Sequence, residues 1–399
     1  MKLMAVVLQL LACLLHVLPR KQRVALLSRQ SEKMSMDYRM LVTELEERLG
    51  PDRVVVCLTE PESKDIVKFV LGTLRQLIVA CTSKVIVVDG YVPAVSIPKK
   101  PKDCTVIQMW HSPGAVKKFG YQCLDTPAGR SRESAEAGRM HRNYDYVIAG
   151  GPGAINAFAQ AFDYPQDVVV PLGLPRIDFL LEEGPKCYRK RRAKRILRNN
   201  PFLENGKPTI LYAPTLRKGD GYDETWLSHN LGQLASALEA QGARGDAPAN
   251  LVITGHPLNN DFSQALLREH PCIHEIPHTA TIHLLDVCDA MISDYSAVAF
   301  EAALLGIPVE LYVPDLKQYE ASPGLNIDLA REVPNSTHTN AGEAMAAALA
   351  EARAHHGGNA CDNDFALLSK SYFAGINYGS TKRIADLVER SLARGHQAE

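Results

Sequence analysis

The residues able to do chemistry in this chain stand just after short apolar runs. His111 lies in Gln108-Met-Trp-His-Ser-Pro-Gly-Ala-Val-Lys-Lys-Phe-Gly120, where an aromatic and an imidazole precede a flexible turn and two lysines. An ordinary histidine, with a pKa of about 6.5, can take a proton from an attacking hydroxyl near neutral pH. Lys117 and Lys118 suit phosphate oxygens, or are simply exposed. His256, in Thr254-Gly-His-Pro257, and Arg217, in Tyr212-Ala-Pro-Thr-Leu-Arg217, are further phosphate candidates, with Thr215 beside the arginine. Between Ile292 and Gly306 a strand ending near Ser293 gives way, past Asp294, to an Ala/Leu-rich helix that begins near Ser296 and stops at Gly306. The free N–H groups of a helix start, with the Ser296 hydroxyl, would meet an anion. An isolated serine there is also an ordinary N-cap. Glu301, charged among apolar neighbours, either accepts from a ribose diol or points to solvent.

Short β-rich runs must position these groups. Runs at 23–28, 53–57, 84–88, 105–109, 146–148 and 168–170, then at 209–212, 251–253, 290–292 and 309–313, read as buried strands alternating with helices. Continuous apolar strands separated by helices indicate parallel sheets covered on both faces. Asp89, His111, Gly150-Gly151, Gly173 and Arg176 follow strands of the first half, and Thr215, His256, Asp294 and Ser296 follow strands of the second. Open parallel sheets bind ligands outside the carboxyl ends of their strands. The Asn199–Pro208 stretch reads as a linker between two α/β halves, and the last helix spans roughly Thr381 to Leu392.

With 399 residues, 44 Lys plus Arg against 45 Asp plus Glu and 46% hydrophobic residues, the composition is that of a globular protein of two or three domains. A net charge of −1 argues against a nucleic-acid binder. Nine scattered cysteines without a CxxC pair favour reduced thiols in the cytosol, and no zinc-type ligand spacing is present, so no metal site is expected. Leu3 to Leu18 is apolar apart from Gln9 and His16, yet shorter than the about 20 residues that cross a bilayer. Arg20, Lys21 and Arg23 follow it, which suits anionic headgroups. Residues 1–19 are therefore read as an amphipathic helix at a membrane surface, against the alternatives of a packed first helix or a cleaved signal. The basic run Lys186 to Arg198 is either a solvated helix face or a second surface for lipid phosphate.

Taken together, the motifs resemble the CDP-glycerol glycerophosphotransferase family, the teichoic acid primases and polymerases of Gram-positive bacteria. The resemblance rests on Trp110-His111, Gly173-Leu-Pro-Arg-Ile-Asp178, Tyr212 to Arg217, His256-Pro257, Asp294-Tyr-Ser-Ala-Val298 with Phe300-Glu301, and Asp315-Leu316 with Tyr319. It runs in order over about residues 105 to 390, with Ser112, Ala297 and Glu301 where the family has Gly or Ala, Ser and Asp. It implies a GT-B fold: two Rossmann-like domains facing across a cleft, an acceptor domain over 20–198 and a nucleotide-binding domain over 199–380, followed by a helix and tail at 381–399. It also implies peripheral attachment at the cytoplasmic face of the membrane.

In that resemblance His111 would deprotonate an acceptor hydroxyl that attacks the β-phosphorus of CDP-glycerol. His256, Arg217 and Lys117 would hold phosphates, Thr215, Asp294 and Ser296 the pyrophosphate, and Glu301 the ribose. Gly173, Arg176, Ser380 and Arg383 would line the same site. The acceptor would be an undecaprenyl-diphosphate-linked saccharide. The chain is closer to the primases in its Gly114-Ala-Val-Lys117 segment, with no bound cofactor, although Mg²⁺ can accompany the donor. The competing readings are a polymerase, a CDP-ribitol enzyme, a UDP-sugar GT-B enzyme and a non-catalytic membrane scaffold.

Overall fold

The computed structural model describes residues 2–60, 66–184, 187–215, 224–242, 248–254, 264–358 and 362–394. Arg217, His256 and Lys186 lie outside the described residues.

Two parallel sheets of six strands each carry the fold. The first runs in the order β2-β1-β3-β4-β5-β6, with β1 Lys21–Ser28, β2 Val54–Leu58, β3 Ser83–Val88, β4 Thr105–Gln108, β5 Tyr146–Ile148 and β6 Val169–Val170. The second runs β12-β11-β10-β7-β8-β9, with β7 Thr209–Ala213, β8 Asn250–Ile253, β9 Ile273–Glu275, β10 Ala290–Ser293, β11 Val309–Tyr312 and β12 Thr337–His338. In each sheet the chain starts in the middle, builds outward to one edge, and then crosses back to build the other half. The strand order therefore reverses between β1 and β3 in the first sheet and between β7 and β10 in the second. Crevices outside the carboxyl ends at such reversals are the usual ligand sites of open α/β sheets.

The expected strands are all present because buried parallel strands are near-continuous apolar runs. All six residues of β3 are buried, as are all four of β10. The helix α2, Met36–Leu49, buries Tyr38, Leu41, Val42 and Leu45, a stripe at helical spacing. Ser35 caps its start by accepting from the Tyr38 N–H. Tyr38, Leu41 and Leu45 join Val24, Leu26, Val85 and Val87 in the core of the first sheet, and Ile384 and Val388 of the last helix complete it. In the second sheet Ile210, Leu251 and Ile292 meet Leu231, Leu234, Met345 and Ala348 from covering helices.

The chain divides into two compact units. The first comprises residues 1–114, 118–178 and 374–399, the second 115–117 and 179–373. The division thus falls after Asp178, and not in the Asn199–Pro208 stretch. The last helix, Ser380–Arg394, belongs to the first unit because its apolar stripe packs on α2 and on the first sheet. The basic run forms the helix Tyr188–Asn199 in the second unit. Arg189, Ala193 and Ile196 are buried, while Lys190, Arg191, Lys194, Arg195 and Arg198 share its exposed face.

The N-terminal apolar segment forms α1, Lys2–Leu15, which packs against α3, Ile66–Cys81. It is apolar on its packed face and on its outward face alike. Leu8 and Ala12 are buried, and the Gln9 side chain turns inward to accept the Lys99 N–H at 2.9 Å. Leu3, Val6, Leu10 and Leu14 face outward, Leu3 with 78% of its surface exposed. On α3, Val67, Val70, Leu71 and Ile78 are exposed as well. Among the described residues no helix is long and apolar enough to cross a membrane.

Candidate active site

His111 lies just past the end of β4, on an exposed loop, with Asp89 just past the end of neighbouring β3. Its Nδ1 stands 2.9 Å from the main-chain carbonyl of Asp89 and 3.5 Å from the Gln30 amide nitrogen. A carbonyl can only accept, so Nδ1 carries the proton and the lone pair resides on Nε2. The imidazole is in the tautomer a general base needs.

The loop that carries it is held under strain. Trp110 has φ +60°, a left-handed backbone that a bulky side chain rarely adopts, at a cost of about 1–3 kcal/mol. Three contacts impose it. The Trp110 N–H donates to Gln108 Oε1 at 2.9 Å, and the buried Gln108 amide donates to the Gly90 carbonyl and the Tyr144 hydroxyl. The indole stacks on Phe119 at 5.0 Å and meets Phe162 edge-on at 5.1 Å. The indole also lies against His111, with ring centroids 4.1 Å apart. Gly150 supports the same loop from β5, because a Cβ there would stand 2.0 Å from the Pro113 carbonyl oxygen. The Ser112 hydroxyl folds back to donate to the Gly114 carbonyl at 2.6 Å, which closes the turn after the base.

Two buried ionisable groups flank this loop. His141 meets the Trp110 ring edge-on, and burial pushes its pKa down to about 3, so it stays neutral beside the Tyr144 hydroxyl. Asp89 is 2% exposed, and burial pushes its carboxyl up to about 7 despite a hydrogen bond from Ser28.

In the second unit side chains tie the two strands of the reversal together, the Ser293 hydroxyl donating to the Ala213 carbonyl at 2.8 Å. The Thr215 N–H and hydroxyl both donate to Asp294 Oδ1, at 2.7 and 2.6 Å, which ties the chain after β7 to the end of β10. The next residue, Tyr295, is fully buried, stacks on Tyr319 at 3.6 Å and donates to Asp315. The helix expected from Ser296 begins at Val298 and ends at Leu304, two residues later and a turn shorter than the composition suggested. Ala297 is its N-cap, and the Ser296 Oγ accepts from the Val298 N–H at 3.4 Å. Glu301 is buried, at 5% exposure, and so does not point to solvent. Lys117 sits in the second unit, where its carbonyl accepts from Asn326 and it bridges to Leu325.

The pattern of the family described as CDP-glycerol:poly(glycerophosphate) glycerophosphotransferase matches residues 10–390. The chain belongs to that family. It is 29% identical over 332 residues to the teichoic acid ribitol-phosphate primase of Bacillus spizizenii, a span covering 78% of this chain and 77% of that protein. It is 26% identical over 315 residues to the teichoic acid glycerol-phosphate primase of the same organism, covering 78% and 76%. Among solved structures, the wall teichoic acid polymerase TagF superposes with a TM-score of 0.66 at 16% identity, covering 96% of this chain and 93% of that one. A UDP-GlcNAc 2-epimerase from Neisseria meningitidis gives 0.59 at 14% identity, covering 92% and 99%. At such identities the structural likeness speaks for the fold, which is of the GT-B type with two Rossmann-like units.

In this CDP-alcohol phosphotransferase the segment Gly173 to Asp178 acts as a clamp within the first unit. The Arg176 N–H and Nε both donate to the buried carboxylate of Asp37, in the first turn of α2. Asp178 accepts from the N–H groups of Gly379, Ser380 and Thr381 and from the Thr381 hydroxyl, at 2.6 to 2.8 Å. Gly173 has φ +78°, and a Cβ there would lie 2.2 Å from Ser380 Oγ. Ser380 is fully buried and its Oγ accepts from Arg383, whose guanidinium also donates to the carbonyls of Leu172 and Asn377. The polar groups of Ser380 and Arg383 are thus taken up at the start of the last helix, and the anion bound there is Asp178. These contacts differ from the expectation from sequence, which puts Gly173, Arg176, Ser380 and Arg383 on the substrate. Gln30 and Asp37 carry no signal in the sequence beyond their positions just after β1 and at a helix start.

Proposed function

We propose that this protein moves glycerol phosphate from CDP-glycerol to a hydroxyl of an undecaprenyl-diphosphate-linked saccharide, releasing CMP, as a primase-like enzyme of wall teichoic acid synthesis. The observation that carries the reading is His111, just past β4, held by Nδ1 on the main-chain carbonyl of Asp89 after β3 in a chain of this family. His111 Nε2 takes the acceptor's hydroxyl proton. The freed oxygen bonds to the β-phosphorus of the donor, and the bond from that phosphorus to the oxygen bridging it to CMP breaks. CMP departs with the bridging oxygen. Little covalent work falls to the protein in such a transfer beyond positioning and charge stabilisation. Arg217, His256 and Lys117 would supply the charge, with Ser296 and the Thr215–Asp294 pair at the diphosphate and Glu301 at the ribose. Mg²⁺ would arrive with the donor. We assign Gly173, Arg176, Ser380 and Arg383 to the scaffold of the first unit.

The second reading, CDP-ribitol as donor, is favoured by the 29% identity to a ribitol-phosphate primase. A donor panel with product length measured tests both. CMP release with CDP-glycerol and a single added unit is expected. Preference for CDP-ribitol selects the second reading, many added units make the enzyme a polymerase, and release of UDP from a UDP-sugar without any CMP overturns the proposal.

We further propose peripheral attachment to the cytoplasmic face of the membrane through α1 and α3. Leu3, Val6, Leu10 and Leu14 of α1 and Val67, Val70 and Leu71 of α3 face outward, with the exposed cations Lys68, Arg75, Lys99 and Lys102 among and beside them, and Glu133 is paired with Lys2. That combination suits shallow burial among anionic headgroups. Each exposed leucine contributes ~1.5–3 kcal/mol on full burial, so Leu10→Asp with Leu14→Asp should weaken binding to phosphatidylglycerol vesicles by at least about a hundredfold. Leu8 and Ala12 are left in place to preserve packing. Unchanged sedimentation with vesicles would move the anchor elsewhere, the helix Tyr188–Asn199 being the first place to look.

A further inference from the structure

Asp89 is a buried acid that the transfer scheme leaves unused. It stands beside the β1–β3 reversal, and its main-chain carbonyl holds His111 Nδ1 at 2.9 Å. Covalent geometry keeps a carboxyl oxygen of Asp89 within about 6 Å of that carbonyl oxygen. Ser28, at the end of β1, donates to the carboxyl, while Oδ1 is buried with no hydrogen-bond partner among the described residues. A buried acceptor left unsatisfied in this way is uncommon in folded proteins and calls for a reason.

We propose that Asp89 is a positioning residue for the base: its main-chain carbonyl fixes the tautomer of His111, and its carboxylate sets the proton affinity at Nε2. The inference rests on His111 being the base.

The surroundings support this assignment. The groups acting on the Asp89 carboxyl are Ser28 from β1 and Asp37 and Tyr38 from α2, while His111, from the loop after β4, meets the main-chain carbonyl of Asp89 and has the buried, neutral His141 as its other titratable neighbour. Asp37 is already paired with Arg176, and Tyr38 donates to the carbonyls of Leu27 and Val87. The charge that changes in this environment during a turnover is therefore the one arising on His111. A carboxylate close to an imidazole favours the protonated ring, and in a partly desolvated setting it does so by about one pH unit or more. Because burial raises the Asp89 carboxyl to about 7, its charge is itself gained near neutral pH. Activity should then rise with pH through two coupled deprotonations.

The test is a titration of His111 in ¹⁵N-histidine-labelled protein, its signal assigned by absence from His111→Asn, alongside pH profiles of CMP release. In Asp89→Asn the His111 midpoint should fall by about one pH unit, with Nδ1 still protonated because the main-chain carbonyl remains. The acid limb of the rate profile should move to lower pH and become a single-proton limb. Ser28→Ala shifts it in the opposite direction, since loss of that hydrogen bond makes the Asp89 carboxylate harder to form. This second variant decides the matter if Asp89→Asn does not fold. An unchanged His111 midpoint in Asp89→Asn, or an acid limb unmoved in Ser28→Ala, overturns the proposal. Transfer that survives in His111→Asn removes the base assignment instead, and the titration reports that separately.

Discussion

Replacing His111 with asparagine should lower the rate of CMP release at saturating substrate by about 10²–10⁴-fold, the range a positioned general base contributes. The protein should fold normally. Asparagine keeps an N–H that can donate to the Asp89 carbonyl, and the Trp110 ring remains anchored by Phe119, Phe162 and the Gln108 side chain. Loss of proton transfer alone should act on kcat and leave donor KM within a few-fold, because in the proposed transfer the ring acts on the acceptor's proton and not on the nucleotide. Single-turnover assays at pH 7 to 8 read this directly. A fall smaller than about threefold would show that the strained Trp110–His111 loop serves binding and that the acceptor proton goes elsewhere.

What the sequence made legible follows from how locally each feature is encoded. Runs such as Val24-Ala-Leu-Leu27 and Val85-Ile-Val-Val88 are continuous because both faces of their sheet are covered, so composition alone marks them. The edge strands Ile273–Glu275 and Thr337–His338 are two or three residues long and contain His, Glu and Thr, too little for any apolar pattern to register. The strand-end positions of His111, Thr215 and Asp294 were readable for the same reason as the strands. What those residues touch was not. The Thr215–Asp294 bonds join positions 79 apart, and Asp178 reaches residues more than 200 positions away. A Gly-x-Pro-Arg-x-Asp segment after a strand looks like a phosphate loop from its residue types. Its arginine and aspartate instead hold another carboxylate and a helix start. Charged groups in short motifs serve ligands and scaffolds with the same chemistry, and only the fold says which.

The segment's scaffold role has a large consequence for stability. Asp178→Ala should destabilise the first unit by about 3–5 kcal/mol, in the range for breaking a buried, multiply bonded carboxylate at a helix N-terminus. The Asp178 side chain is 3% exposed, and its removal leaves three main-chain N–H groups and the Thr381 hydroxyl without an acceptor. Each buried donor so stranded costs about 1–3 kcal/mol unless water reaches it, and relaxation of the first turn recovers part of the sum. The helix start is also the positive end of its dipole, so the lost negative charge adds to the effect. The damage should spread to the core, because Ile384 and Val388 of that helix pack among Val24, Leu26 and Val85. Asp178→Asn keeps one acceptor oxygen and should cost about half as much. Urea unfolding followed by a probe in the first unit reads both as a lower midpoint at unchanged slope. A cost below about 1 kcal/mol for the alanine variant would mean that apolar packing alone seats the last helix. The carboxylate would then be available for another role. A KM for CDP-glycerol that stays within a few-fold in Asp178→Asn is the matching expectation, since the residues that the proposed function assigns to the nucleotide, Thr215, Asp294, Ser296 and Glu301, belong to the second unit.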